Sequence, residues 1–120
     1  MSFWLEIFTF RTPEGPPHTF YGGSLADFFR LSLGNRALVR EAHPITLEDS
    51  EPEPDIAIVR GGWANYRLRH PRAEEIYLVV EISESSLVKD LERKKLIYAT
   101  PMMFPDVKIS LTQLFAQASS

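Results

Sequence analysis

The stretches PDIAIV at residues 54–59 and LVVEIS at residues 78–83 decide the fold of this chain. Each is short, rich in β-branched residues and bounded by turn residues, with Pro52 before the first stretch and Gly61–Gly62 after it, which is typical of β-strands. Each also carries one acid, Asp55 near the start of the first stretch and Glu81 near the end of the second. We therefore predict two strands with one carboxylate each.

These two strands are expected to pair as an antiparallel hairpin. Folding the chain about its midpoint near Leu68 sets Asp55 opposite Glu81 and Arg60 opposite Ile76, so the two carboxylates meet at one end of the sheet. The connection over residues 61–75 is long for a hairpin. The register is therefore the critical expectation, because a slip of one residue would turn one carboxylate to the other face.

A helix is predicted after the second strand, from a serine cap at residue 85 or 86 to about Ala99. One stripe along this helix is formed by Leu87, Leu91, Lys94 and Tyr98. Lys94 therefore points in the same direction as the apolar side chains, which is costly unless an anion lies close to it. In this interpretation the anion is Asp55, Glu81 or a bound phosphate.

Two carboxylates and a lysine are suited to phosphate chemistry that depends on a divalent cation. Mg²⁺ prefers oxygen ligands and keeps several waters, and Mn²⁺ accepts the same ligands. A lysine beside the metal can orient the attacking water and offset the charge that develops on the phosphate. Simpler interpretations stay open: Asp55 as a strand-start residue, Glu81 as the end of a strand, and Asp90 with Lys94 as an ordinary i, i+4 pair.

The combined pattern from Ile45 to Ala99 resembles the Uma family of restriction-endonuclease-like proteins, within the PD-(D/E)xK nuclease superfamily. The resemblance is carried by SEPEPDIAIVR at residues 50–60, by the His70–Pro71 pair and by VVEISESSL at residues 79–87 with the Asp90, Lys94 and Tyr98–Ala99 positions that follow. It implies an α/β (α+β) fold with a restriction-endonuclease-like core, in which a small mixed β-sheet is flanked by helices.

The resemblance also implies a site. Asp55 and Glu81 would be metal ligands for Mg²⁺ (or Mn²⁺), with the backbone carbonyl of Ile82 as a third ligand. The lysine of the superfamily's strand motif is replaced by Ser83 in this sequence. The implied activity is metal-dependent hydrolysis of phosphodiester bonds in DNA.

The family places the replacement lysine on the following helix, which matches Lys94, with Asp90 as the residue that would orient it. Lys95 is the alternative, roughly 100° round the helix from Lys94.

The chain departs from the family after Ala99. The Gly-rich turn and the strand containing Glu-Tyr-Trp that continue the family are missing, and residues 104–115 resemble the segment that ends it. We expect one domain over residues 1–120 with its core at 24–99 and an incomplete sheet. The expected consequence is low stability, dependence on a partner chain, for example in a homodimer, or a different packing for Val107–Leu111. The alternative function is a catalytically inactive nuclease relative that acts as a binding or assembly module. A third possibility is a structural domain of another family, in which the site residues form ion pairs.

Composition limits the other function classes. The chain has 120 residues, a net charge of −3 and no cysteine, which excludes a disulfide framework and argues against a general nucleic-acid-binding surface. A local basic cluster lies between the two strands and contains Arg67, Arg69, His70 and Arg72, with Trp63 and Tyr66 interleaved. Phosphate contacts with aromatic stacking have this pattern, and so does a solvent-exposed loop. No membrane span or secretory signal is expected, so the predicted location is cytoplasmic.

The remaining segments are expected to build the rest of the core. A helix is predicted from Ser24 to Leu33, with Ser24 as N-cap, Asp27 at N3 and Gly34 as terminator. Residues 37–40 and 45–47 are predicted as two short strands or one bent strand. Residues 3–10 are strand-like and are expected to form an edge strand or an extension.

Overall fold

The four-stranded sheet at the centre of the protein is mixed, and one α-helix packs on it. The computed structural model describes residues 6–12, 18–84, 98–99, 103–107 and 109–110. Within these residues the strands of the main sheet are β1 (Glu6–Thr12), β2 (Leu38–Glu41), β3 (Ile56–Val59) and β4 (Ile76–Glu84), and the α-helix is α1 (His18–Leu33). The strand order is β1-β4-β3-β2. Strand β1 is parallel to β4, and the other two pairs are antiparallel. The predicted α+β fold class is confirmed.

The predicted register of the β3–β4 hairpin is confirmed at the end that carries the acids. Ile56 pairs with Val80, which places Asp55, one residue before β3, opposite Glu81. The other end differs from the prediction by one residue, since Val59 pairs with Ile76 and the Arg60 N–H donates to the Glu75 carbonyl. The cause is an irregularity of the β-bulge type between Ile58 and Val59, where one extra residue of β4 is accommodated.

Both faces of the central strands are buried, which explains why β3 reads as an unbroken apolar run. All four residues of β3 are buried. One face packs against α1 through a cluster that includes Tyr21, Leu25, Phe29, Val39, Ile56, Ile58, Leu78 and Val80. The other face is covered by the segments 42–54 and 61–75, through Ile45, Leu47 and Tyr66 against Ala57, Val59, Ile76 and Val79. The α-helix therefore supports the sheet from one side and irregular chain from the other.

Helix α1 begins six residues earlier than the sequence predicted. The predicted start at Ser24 is wrong, because the helix runs from His18 and Ser24 lies inside it. Tyr21 is fully buried in the core, so packing extends the helix through Gly22–Gly23 despite the low helix propensity of glycine. A Cβ at Gly22 would lie 3.7 Å from the Ile82 side chain, which shows how closely the helix approaches β4. Gly34 has a φ of +56° directly after the last turn and terminates the helix as predicted.

Two further segments differ from their predicted structure. Residues 45–47 do not form a strand; Thr46 makes an isolated bridge with Arg72. Tyr98–Ala99, predicted as the end of a helix, is instead a short strand, β5, which pairs antiparallel with β6 (Ile109–Ser110). The stripe that ended at Tyr98 is therefore not helical throughout. The positions between residues 85 and 97, including the rest of that predicted helix, lie outside the described residues.

The segment between β5 and β6 is anchored on the core. Phe104 and Val107 are buried in the cluster beneath α1, and Arg36 binds both carboxylate oxygens of Asp106 at 3.1 and 2.9 Å. In the part of the chain that the structure describes, no helix has both the length and the apolar character needed to cross a bilayer.

Candidate functional site

The two acids at the end of the β3–β4 hairpin are interlocked by hydrogen bonds. The backbone N–H of Asp55 donates to Glu81 Oε1 at 3.1 Å, and the backbone N–H of Ile82 donates to Asp55 Oδ2 at 2.7 Å. Each carboxylate thus accepts from the strand that carries the other. The Asp55 residue is half-buried, whereas Glu81 is exposed. The structure therefore brings the two predicted metal ligands, together with the backbone of Ile82, to one place at the sheet end.

The local sequence explains why Asp55 is held so firmly. Its N–H is bound by Glu81, and its carbonyl accepts the Ala42 N–H at 3.0 Å. Ala42 follows β2 directly and has a φ of 52°, so the chain turns sharply where it meets Asp55. Pro54 is buried and has no N–H that would need a partner. Asp55 is consequently fixed from the β2 side and from the β4 side at once.

The donor set of this pair fits a hard divalent cation. An ionised carboxylate has about four lone-pair sites, so accepting one N–H leaves capacity for a metal. No group of three or more His, Cys, Asp or Glu that could hold a metal is found among the described residues. Asp55 and Glu81 therefore offer two carboxylates, the number with which Mg²⁺ is commonly bound when waters and substrate phosphate complete its coordination.

The remaining predicted site residues divide into two groups. Ser83 lies on β4 directly after Ile82, in register with Arg11 of β1. Lys94, its alternative Lys95 and the supporting Asp90 lie outside the described residues, and their roles stay predictions.

Strand β1 borders the site, which the sequence interpretation missed. In the parallel β1–β4 pair Thr9 lies beside Glu81, and Thr9 is exposed. The signal was present in the alternation of residues 7–10, since Phe8 and Phe10 pack on the core while Ile7 is 63% exposed. What the local pattern could not show was the partner, because a parallel pair joins segments distant in sequence.

The basic cluster at the other end of the hairpin is partly neutralised. Arg69 donates two hydrogen bonds of 2.6 Å to the two carboxylate oxygens of Glu75, which is buried, and the Arg72 N–H donates to Glu75 Oε1 at 2.9 Å. These hydrogen bonds lower the pKa of Glu75 from 4.5 to about 2, and those from Arg69 make the largest contribution. Arg69, predicted to contact nucleic acid, is thus bound to Glu75 and stabilises the loop. The Arg67 and Arg72 side chains are exposed, and their predicted contact with DNA stays a prediction.

Arg40 is a buried arginine that the sequence interpretation did not select. It lies on β2 opposite Ala57 and is only 4% exposed. Its guanidinium carbon lies 5.4 Å from the centroid of the Trp63 ring and 5.6 Å from that of Tyr66. Burial lowers the pKa of Arg40, although arginine keeps its proton in proteins. The two rings come from the loop over 61–75, so no local pattern around Arg40 signals this contact.

Comparison with known proteins identifies a family that matches this chain. A family described as "Uma2: Putative restriction endonuclease" matches the chain over residues 6–109, from β1 to the start of β6. No curated protein and no solved structure gives a significant match. Because the match extends over most of the chain, this protein belongs to the Uma2 family of restriction-endonuclease-like proteins.

Proposed function

We propose that this protein hydrolyses phosphodiester bonds in DNA with a divalent cation held by Asp55 and Glu81. The observation that carries the proposal is the pair of crossed hydrogen bonds that fixes both carboxylates at one sheet end. Membership of a family described as restriction endonucleases supports the choice of DNA as substrate. The cation is Mg²⁺ or Mn²⁺, since both accept carboxylate oxygens.

Each residue has a distinct part in this proposal. Asp55 and Glu81 hold the cation, with the carbonyl of Ile82 as a third ligand. The Ile82 N–H keeps the Asp55 carboxylate oriented, and the Asp55 N–H does the same for Glu81. A bound divalent cation supplies positive charge beside the scissile phosphate and lowers the pKa of water. Lys94 orients the attacking water or offsets the phosphate charge, and Asp90 orients Lys94.

Cleavage of supercoiled plasmid DNA tests the activity. The parent protein should nick the plasmid in Mg²⁺ or Mn²⁺, and Glu81→Gln should lower the rate by about 100-fold or more, since even outer-shell partners of metal ligands contribute about 10–100-fold. Glu74→Gln is the matched control, because Glu74 is an exposed acid in the turn that precedes β4, at the other end of the hairpin from Glu81. Equal rates for the parent and Glu81→Gln, or an inactive parent, would contradict the proposal.

Metal binding can be measured separately from turnover. A cation that binds only the folded state raises the thermal midpoint with its concentration. We expect Mg²⁺ or Mn²⁺ to raise the midpoint of the parent and of Glu74→Gln, and to leave that of Glu81→Gln unchanged. A parent whose midpoint does not respond to either cation would contradict the assignment of Asp55 and Glu81 as ligands.

The second candidate is a catalytically inactive relative that acts as a binding or assembly module. It is favoured by β5 and β6, which pair with each other and not with the four-stranded sheet. This candidate predicts a metal-dependent rise in midpoint without plasmid cleavage. The two assays together therefore separate the two functions.

A further inference from the structure

Arg40 is a buried cation whose charge is not matched by an acid among the described residues. One Nη atom donates to the Pro44 carbonyl at 3.3 Å, and the buried Nε has no hydrogen-bond partner. The ion pairs that the described arginines make, to Asp27, Glu41, Asp106 and Glu75, do not include Arg40. Burying a guanidinium without a carboxylate destabilises a fold, so the buried charge of Arg40 needs another explanation.

The aromatic rings over Arg40 recover part of that cost and differ sharply in exposure. Cation–π contact favours a guanidinium within about 6 Å of a ring centroid. Tyr66 is buried and its hydroxyl donates to the Arg60 carbonyl. Trp63 is 54% exposed, and its ring meets that of the exposed His43 edge-on at 5.7 Å. The guanidinium is thus backed by a buried ring and lies under a ring that is open to solvent.

Arg69, which also contacts Tyr66, differs from Arg40 in having an acid that matches its charge. Arg69 also lies 5.6 Å from the Tyr66 centroid, but its charge is matched by Glu75. Arg40 keeps its positive charge beside an exposed indole, in a chain whose net charge is −3. A phosphate with an attached aromatic base combines the two features that such a pair recognises, an anion for the guanidinium and a ring for the indole.

The turn that carries Trp63 is held in one conformation. Asn65 Oδ1 accepts the Gly62 N–H at 2.9 Å. Gly61 has a φ of +85°, and a Cβ there would lie 2.6 Å from Asn65 Oδ1, so only glycine fits. Trp63 is therefore presented on a fixed turn, and little conformational entropy is lost when a ligand stacks on it.

We infer that Arg40 and Trp63 form a binding site for an unpaired nucleotide of a DNA strand, in which the guanidinium binds the phosphate and the base stacks on the exposed indole. The inference rests on the proposed function for its ligand, DNA. The site is distinct from the acidic pair and needs no metal. Arg40 pairs with Ala57, which lies two residues along the chain from Asp55, so the backbone of Arg40 lies near the end of the hairpin that carries the acidic pair.

Fluorescence anisotropy with a labelled ten-nucleotide oligothymidylate, in EDTA, tests the site without cleavage. Its control ligand is an abasic strand of equal length and charge. We expect Trp63→Ala and Arg40→Met each to weaken oligothymidylate binding by about tenfold, as loss of one stacked base or one phosphate contact implies. Leu68→Ala, an exposed position in the same loop at 90%, should bind like the parent.

The abasic strand separates stacking from charge. It should bind the parent more weakly than oligothymidylate does, and Trp63→Ala should not weaken it further, whereas Arg40→Met should. Equal affinity of the parent and Trp63→Ala for oligothymidylate would overturn the inference. So would equal affinity of the parent for the two strands.

A stability measurement shows whether Arg40 is kept for binding or for structure. Methionine preserves much of the packing volume and removes the unmatched charge, so Arg40→Met should unfold at the same or a higher temperature than the parent. A lower midpoint together with unchanged affinity would assign Arg40 to the framework and overturn its role in binding. If Arg40→Met does not fold, Trp63→Ala still decides the question, because its side chain is half exposed.

The outcomes for this site and for the nuclease are independent. If the parent binds oligothymidylate as expected but does not cleave plasmid DNA, only the proposed function is contradicted. Intact cleavage with no effect of Trp63→Ala on oligothymidylate binding contradicts the nucleotide site alone.

Discussion

The two ends of the β3–β4 hairpin each present a glutamate, and the structure treats them in opposite ways. Glu75, next to the loop, is 7% exposed and accepts two bonds from Arg69 and one from the Arg72 backbone. Glu81, at the other end, is exposed and accepts from the backbone of Asp55, a second acid. No ion pair joins Glu81 to an arginine or lysine of the described residues. The difference teaches that the charge of Glu75 is matched within the loop, whereas Glu81 lies beside a second acid, where we propose that a cation binds.

This contrast arises because Glu75 is bound by an arginine, whereas Glu81 is bound by the backbone of a second acid. A bidentate arginine–carboxylate pair in a partly buried place is among the stronger hydrogen-bonded contacts in proteins, and it uses both oxygens of Glu75. Two carboxylates that lie close together repel each other, and a divalent ion bound between them would offset that repulsion. The first arrangement stabilises the fold, and the second is expected to act in catalysis.

The largest expected effect is at the acidic end. Asp55→Asn should lower the rate of plasmid cleavage by about 100-fold or more, because a metal ligand is lost. Its amide oxygen can still accept the Ile82 N–H, so the free energy of unfolding should change by less than about 1 kcal/mol. Cleavage rates and urea denaturation measure the two effects. An unchanged cleavage rate would show that Asp55 is not needed for cleavage, and would contradict the proposed catalytic role of the acidic end.

The next largest effect is expected at the loop end of the hairpin, where a substitution should lower stability and leave the cleavage rate unchanged. Glu75→Gln should lower the free energy of unfolding by about 2 kcal/mol at pH 7, after allowance for the exposure of Arg69. Its rate of plasmid cleavage, per folded molecule, should match that of the parent. A Glu75→Gln variant as stable as the parent would show that the pair does not close this end.

The stability difference between parent and Glu75→Gln should also depend on pH. The pKa of Glu75 is lowered from 4.5 to about 2, so its contribution is complete above pH 4.5 and is lost as the pH falls toward 2. Denaturant unfolding of both proteins between pH 7 and pH 2.5 should therefore show the gap narrowing below about pH 4.5. A gap that stays constant over this range would contradict the assignment to Glu75.

A smaller effect is expected from Tyr66→Phe. The phenylalanine ring keeps the contact with Arg40 and removes the hydrogen bond from the Tyr66 hydroxyl to the Arg60 carbonyl, which contributes about 1 kcal/mol. Urea denaturation should show this loss, while oligothymidylate affinity should stay that of the parent. A large drop in affinity would show that the hydroxyl, and not only the ring, takes part in binding.

The smallest effect concerns the exposed arginines of the loop. If Arg67 and Arg72 contact phosphate, Arg67→Gln and Arg72→Gln should each weaken duplex binding a few-fold and reduce the slope of log K against log salt by about 0.9. Affinities measured at several salt concentrations give that slope. Slopes equal to that of the parent would restrict DNA binding to the rest of the surface.

The elements that the sequence predicted well are those whose signal is local. The strands around Asp55 and Glu81 are apolar runs bounded by turn residues, and their register follows from folding one run on the other. Gly34 marked the end of α1 because only glycine readily adopts its positive φ. The placement of Asp55 opposite Glu81 was also predictable from these local patterns.

The features that the sequence did not predict depend on distant partners. The parallel pairing of β1 with β4 joins the first strand to the fourth, and the cluster around Arg40 needs Trp63 and Tyr66 from a loop more than 20 positions away. Tyr98 fits a helical stripe by spacing alone, yet its pairing with Ser110 decides its structure. In each case tertiary packing overrides or supplements the local pattern.

The irregularity between Ile58 and Val59 separates two registers within one hairpin. Beyond it the loop follows its own alignment, in which Arg60 meets Glu75, while Ile56 and Val80 keep theirs. We expect this irregularity to accommodate insertions or deletions between residues 61 and 75, so that Asp55 stays aligned with Glu81. The loop would then be free to diversify during evolution, or to be replaced by design, while the acidic end stays aligned.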